Sequence, residues 1–411
     1  MAEEVRKKPA PPDPDSARFK LGAIIEKHYR EVHEAKARGE KIGWCASNFP
    51  QEIFQTLGVK VCYPENQAAA IAARGAGQKL CEIAESEGYS NDICAYARIS
   101  LAYTRVKDVP EQNMPLPDFL LCCNNICNCM IKWYENLAED LDIPLILIDI
   151  PFNTAYEPGP DQIAYVRAQF MDAISQLERI TGTTWSEDRF RQVMEISNRS
   201  SRAWLEATGY TRYKPSPLSG FDLLNHMAVA VCARGTVEAA EAFETLIEEY
   251  KEAVEKGTST FRAEEKHRFM FEGIACWPHL RTTFSALKNR GMNMVATIYA
   301  DAFGQVYQDL DGLIRGYCSV PNAVNLEKAR DTRIGIVKKT GAEGLLVHTN
   351  RSCKLWSGFM QEMSKQIGES CDIPVVSFDG DQADPRNFSA AQYETRVQGL
   401  AELMEVRKKG E

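Results

Sequence analysis

No Cys-x-x-Cys pair occurs in this chain of 411 residues, although it holds thirteen cysteines. That absence weighs against structural zinc, which favours paired thiolates or Cys pairs with His. A basic balance is also missing. The net charge of −9 argues against general nucleic-acid binding, yet leaves room for a local Arg or Lys pocket that takes an anionic small ligand. The longest apolar run, IPLILIDIPF, is about half of the ~20 residues that a membrane span needs. The start, MAEEVRKKPAPPDPDSARF, is charged and Pro-rich. It reads as a loose tail and not as a signal peptide, so a cytoplasmic protein is expected. No Gly-x-x-x-x-Gly-Lys-Ser/Thr phosphate loop is present.

What is there is globular: 44% apolar and 26% charged residues, in a length that suggests two or three domains. A helix is expected over 17–40, ending near Gly39. Short apolar runs then alternate with amphipathic segments: KIGWCAS, KVCYP, DFLLCC and IPLILIDIP. A mostly helical stretch follows, and the alternation returns in RFMFEGIACWP, NMVATIYAD, GLLVHTNRSC and IPVVSFDGD. Strands alternating with helices predict an α/β protein with parallel sheets covered on both faces. The expected organisation is a tail and helix (1–40), a first α/β domain (41–158), a helical segment (159–262) and a second α/β domain (263–411). The two α/β blocks look like copies of one flavodoxin- or Rossmann-like plan. DFLLCCNNIC matches GLLVHTNRSC, and DIPLILIDIPFN matches DIPVVSFDGDQAD. Such sheets carry functional loops at the carboxyl ends of their strands, so a site between the two blocks is expected.

Cys122, Cys123, Cys127 and Cys129 fall within eight positions. In a reducing compartment the thirteen cysteines are not a disulfide framework. Most are expected as small buried hydrophobes, Cys81, Cys232, Cys318 and Cys371 among them. For the clustered ones, zinc, a nucleophilic thiol served by His348, plain burial and an iron–sulfur cluster compete. The cluster would take thiolates from distant loops: Cys94 in NDICAYAR, one or more in CCNNICNC, and Cys353 in NRSCK. Three such ligands would leave one iron open to a substrate oxygen.

Other residues carry two readings each. Glu65 in YPENQAA can cap a helix or face a substrate, and Ser47 has the same ambiguity. His348 can be a core histidine. Asp379, Asp381 and Asp384 in DGDQADPR suggest a metal, or a turn with Asx-type backbone bonds. Arg98, Arg351 and Lys354 can hold anionic parts of a ligand or stand as ordinary surface charges.

Seven stretches together, GWCASNFPQE, YPENQAA, NDICAYAR, CCNNICN with KWYENLA, YKPSPLSGFDLLNHM, HTNRSCK and FDGDQADPRNFSAAQYETRVQGL, carry a resemblance from about residue 20 to the end. The chain resembles the alpha subunit of (R)-2-hydroxyacyl-CoA dehydratases, above all the 2-hydroxyglutaryl-CoA type. Lactoyl-, phenyllactyl- and 2-hydroxyisocaproyl-CoA enzymes share the plan, and benzoyl-CoA reductase subunits share it more distantly.

The resemblance implies a hydro-lyase of amino-acid-fermenting anaerobes, paired with a homologous beta subunit. It implies one 4Fe–4S cluster on Cys94, Cys127 (chosen over Cys123) and Cys353, with the fourth iron open. Ser47 and Glu65 would lie near the substrate, and Arg98, His348, Arg351 and Lys354 are candidates to bind it. Cys45 stands where many relatives carry serine, with no ligand role. The implied reaction is a syn-type loss of water from the (R)-2-hydroxyacyl-CoA to the (E)-2-enoyl-CoA through a ketyl radical. It starts after one electron arrives from a separate ATP-dependent iron–sulfur activator. Asn124, Asn125 and Asn350 are expected to hydrogen-bond the cluster sulfurs.

Overall fold

The computed structural model describes residues 13–109 and 112–410. Most of the expected N-terminal tail lies outside the described residues. Helix α1 (Ala17–Ala37) starts at Ser16, whose hydroxyl accepts from the Phe19 amide at 3.3 Å. It stops three residues short of the expected end, where Gly39 takes the left-handed φ of +82° that glycine tolerates best.

The first sheet contains β1 (Ile42–Cys45), β2 (Lys60–Cys62), β3 (Phe119–Cys123) and β4 (Leu145–Ile148). Around it lie α2 (Gln51–Thr56), α3 (Pro64–Ala73), α4 (Gly77–Ser86), α5 (Ala95–Val106) and α6 (Asn128–Leu141). Four helices follow with no strand between them: α7 (Pro160–Thr181), α8 (Glu187–Gly209), α9 (Gly220–Cys232) and α10 (Val237–Glu255). The second sheet contains β5 (His267–Glu272), β6 (Met292–Ala296), β7 (Leu345–Asn350) and β8 (Val375–Gly380). Its helices are α11 (Leu280–Lys288), α12 (Ile298–Asp301), α13 (Leu310–Cys318), α14 (Leu326–Thr340), α15 (Lys354–Cys371) and α16 (Ala390–Gly410).

Both sheets are parallel throughout and have the same order, β2-β1-β3-β4 and β6-β5-β7-β8. The eight apolar runs expected as strands are the eight strands found. Central strands such as β3 are buried along their whole length, because helices cover both faces. That is why they read as continuous apolar runs and not as alternating ones. In each sheet the order reverses between the first and third strands, which opens a crevice at their carboxyl ends.

Buried polar groups join the halves. Glu52 on α2 accepts from the Tyr317 hydroxyl at 2.8 Å and bonds the Tyr307 hydroxyl, while Arg234, at the end of α9, donates to the Tyr317 oxygen at 2.7 Å. The Trp204 indole on α8 donates to the Ala300 carbonyl at 3.0 Å. Inside the second half, Arg333 and Glu272 form a two-pronged pair at 2.8 Å with no exposed surface on either side chain. Of the cysteines expected in the core, Cys81, Cys232 and Cys318 are buried. Cys371 differs: it ends α15 and is only half-buried. No helix among the described residues is long and apolar enough to cross a membrane.

Candidate active site

The crevices of the two sheets meet in one cavity of about 300 Å³. Ser47 reaches it from the loop after β1, Cys127 from the loop after β3, Cys129 from the first turn of α6, Cys353 from the loop after β7, and Gln382 from the loop after β8. Cys94 enters from the start of α5. The three sulfurs expected from separate loops therefore face one space.

Their local settings are alike. Cys94, Cys127 and Cys353 are the residues preceding α5, α6 and α15, and none uses its side chain to cap its helix. Each sulfur therefore sits in the positive field of a helix start, where free amides favour negative charge. Ala97, Met130 and Trp356, one turn in, contribute amides that favour the thiolates of Cys94, Cys127 and Cys353 respectively. Burial wins over that field. It pushes Cys94 well above the usual thiol range, Cys127 up to about 12 and Cys353 up to about 11, with the neighbouring thiols adding to each. Such thiols keep their protons until a cationic centre takes their place.

Among the described residues, no three His, Cys, Asp or Glu side chains converge as ligands of a single ion. A cubane asks for something else: thiolates spread around its corners. The donor set fits that demand. The indole N–H groups of Trp133 and Trp356, both on the cavity wall, are buried and lack a partner. They are donors left over for a bound group rich in sulfur or oxygen.

Within CCNNICNC, position decides between neighbours. The Cys123 sulfur is buried at the end of β3, 2.9 Å from Asn125 Oδ1, and does not line the cavity. Cys127 and Cys129 do. The asparagines expected to serve the sulfurs are engaged elsewhere. Asn124 bonds Asp149 and accepts from the Ile150 amide at 2.6 Å. Asn125 donates to the Tyr317 carbonyl at 3.0 Å. Asn350 donates to Gln382 Oε1 at 3.2 Å, and it is Gln382 that donates to Cys94 Sγ at 3.4 Å. Sequence reasoning missed Gln382 because it lies 288 residues from its sulfur.

Glu65, in the first turn of α3, also lines the cavity. Both carboxylate oxygens accept from the Ser47 amide, at 3.1 and 3.2 Å. Burial dominates those bonds and lifts Glu65 to about 7. The nearby Cys45, Cys122, Tyr134 and Tyr299 are pushed up as well, hence neutral at that pH.

The remaining candidates lie outside the lining. Arg98 is fully buried and spends its charge on Glu85 and Asp384, at 2.6 and 2.9 Å. It has no access to an anionic ligand. His348 is a core residue: its Nδ1 donates to the Ile274 carbonyl at 2.6 Å, its ring stacks on Phe378 at 4.6 Å, and burial lowers it to about 4. Arg351 and Lys354 are exposed beside Cys353, with Lys354 3.1 Å from Asp92. The acidic loop is a turn and not a metal site: Asp381 accepts from the Ser352, Ala383 and Asp384 amides at 3.0–3.1 Å.

The family model "2-hydroxyglutaryl-CoA dehydratase, D-component" matches residues 46–404. The chain belongs to this family. It is 60% identical to the (R)-phenyllactyl-CoA dehydratase alpha subunit of Clostridium sporogenes, over 92% of this chain and 93% of the relative. It is 46% identical to the alpha subunit of (R)-2-hydroxyglutaryl-CoA dehydratase from Acidaminococcus fermentans, over 95% and 98%. A benzoyl-CoA reductase subunit of Thauera aromatica stands at 23%, over 96% of each chain. The protein is thus a 2-hydroxyacyl-CoA dehydratase alpha subunit, a hydro-lyase, and the family implies an iron–sulfur cofactor.

Proposed function

We propose that this subunit carries a 4Fe–4S cluster on Cys94, Cys127 and Cys353 and removes water from an (R)-2-hydroxyacyl-CoA whose acyl chain is uncharged, of the phenyllactyl kind. The observation that carries the acyl assignment is the charge of the wall. Among the described residues, Glu65 is the only charged side chain lining the cavity, and the rest of the lining includes Trp133, Trp277, Met227 and Phe303. A 2-hydroxyglutaryl chain would bring a second carboxylate into that space with no cation to meet it, at several kcal/mol. An aromatic chain gains from the same wall, at roughly 25 cal/mol for each Å² of apolar surface covered. The expectation of a 2-hydroxyglutaryl substrate is therefore replaced, in line with 60% identity to the phenyllactyl relative against 46% to the glutaryl one.

When bound, the cluster supplies one low-potential electron and an electrophilic iron for the thioester carbonyl. The chain does the rest. Its buried wall keeps water from a reactive intermediate. Glu65, protonated up to about pH 7 and held by Ser47, is placed to give a proton to the departing α-hydroxyl. Tyr96, which accepts from the Trp277 indole at 2.5 Å, also lines the cavity, stays neutral and can donate without titrating. Arg351 and Lys354 are proposed to meet the anionic part of coenzyme A.

A homologous beta subunit and a separate ATP-dependent iron–sulfur activator complete the proposed system. The relatives' names as alpha subunits support the first. The test is an anaerobic assay of the reconstituted dimer with its activator on (R)-phenyllactyl-CoA, (R)-2-hydroxyglutaryl-CoA and benzoyl-CoA. Dehydration of the first with the highest kcat/KM is expected. A preference for the glutaryl thioester overturns the acyl assignment, and reduction of benzoyl-CoA overturns the reaction class.

A further inference from the structure

The DGDQADPR turn after β8 has no role in the reaction described so far, yet it is built with unusual care around one amide. Asp381 anchors the turn through three backbone amides. Asp384 holds Arg98 on α5 at 2.9 Å, and the Ala95 amide at the start of α5 donates to Ser352 Oγ at 3.0 Å. The second half of the chain thereby grips the helix of the first half that begins at Cys94.

Between these anchors lies Gln382, without exposed surface. Its carbonyl accepts from the Trp277 amide at 3.3 Å, which fixes its backbone. Its Oε1 accepts from Asn350 Nδ2 at 3.2 Å, which leaves the NH₂ end of the side chain facing the other way. That end donates to Cys94 Sγ at 3.4 Å.

We propose that Gln382 is a positioning residue that sets the reduction potential of the cluster through the Cys94 sulfur, with Asn350 as its orienting partner. The proposal rests on Cys94 being a ligand. An N–H donor on a ligand sulfur stabilises the more negative, reduced cluster and so raises its potential. The apolar cavity magnifies the effect, since few other dipoles are present to screen it. An electron held for repeated turnovers must be neither too costly to inject nor too stable to pass on, and one fixed amide adjusts both.

The test is a redox titration, followed by electron paramagnetic resonance, of the anaerobic holo-dimer carrying Q382L, Q382E or N350L, with iron content and Fe–S stretching frequencies measured alongside. All three variants should retain iron and shift to a more negative midpoint potential, Q382E furthest when titrated at alkaline pH, where its buried carboxyl is ionised and opposes the added charge. The Fe–S frequencies should move with it. Q382E keeps the shape of glutamine and decides the matter if Q382L does not fold. Iron at the parent level with an unmoved potential in N350L, and in Q382E titrated at alkaline pH, overturns the proposal. Parent-level iron and potential in C94S would instead overturn the ligand assignment on which it rests.

Discussion

The Ser47 amide lies between the two carboxylate oxygens of Glu65, at 3.1 and 3.2 Å, and joins the loop after β1 to the first turn of α3. The contact fixes the carboxyl group's place while burial fixes its charge. Glu65 is raised from 4.5 to about 7, so it is protonated below neutral pH in the fold and loses its proton as pH rises through about 7. As proton donor it should give a kcat that falls on the alkaline side of pH 7. Glu65→Gln should lower kcat by about 10²-fold or more and erase that limb of the profile. A Gln variant that keeps the limb would assign it elsewhere.

The same shift predicts the stability profile. A carboxyl raised in the fold binds more protons there than in the unfolded chain. Its contribution is full below about pH 4.5 and is lost as pH climbs through about 7. Glu65→Gln should flatten the melting temperature between those values.

Replacing one thiol at a time separates ligands from neighbours. Cys94→Ser, Cys127→Ser and Cys353→Ser should each lower iron from about four per chain in protein purified without oxygen, with loss of the broad absorbance of the cluster. Cys123→Ser should keep its iron, because that sulfur points to Asn125. Iron analysis of the four variants checks the assignment directly.

A cation placed on the wall should move specificity. Met227 on α9 lines the cavity and is buried. Met227→Lys should cut kcat/KM for (R)-phenyllactyl-CoA at least tenfold and raise the relative rate on (R)-2-hydroxyglutaryl-CoA, by supplying the missing counter-charge. Competition between the two thioesters reads the ratio in one experiment.

Arg333 and Glu272 test the scaffold. Removing one partner of this fully buried pair leaves a naked charge, so Arg333→Met should destabilise by about 3–5 kcal/mol. The double variant Arg333→Met with Glu272→Met should recover most of that loss. Denaturant unfolding of the single and double variants measures the difference.

Much of the scaffold was legible in the chain. Parallel strands covered on both faces become apolar runs, so DFLLCC and GLLVHTN announced β3 and β7 directly. The repeated order of strands, polar loops and cysteines announced the two matching sheets. The site was legible only in outline. Asn124 and Asn125 look like sulfur donors beside their cysteines, but they close the loop on Ile150 and Tyr317. Arg98 looks like an anion site beside Cys94, but it is consumed by Glu85 and Asp384, one of which comes from the far end of the chain.

The sequence by itself determined the alternation of strands and helices, the family motifs and the candidate thiols, because each is written in residues close together along the chain. Only the tertiary structure decided that Cys127 and not Cys123 faces the cavity, that the wall around Glu65 lacks a cation, and that Gln382 reaches Cys94. The physical reason is that convergence and charge balance in a buried space are sums over residues hundreds of positions apart, and those sums exist only once the two sheets have packed.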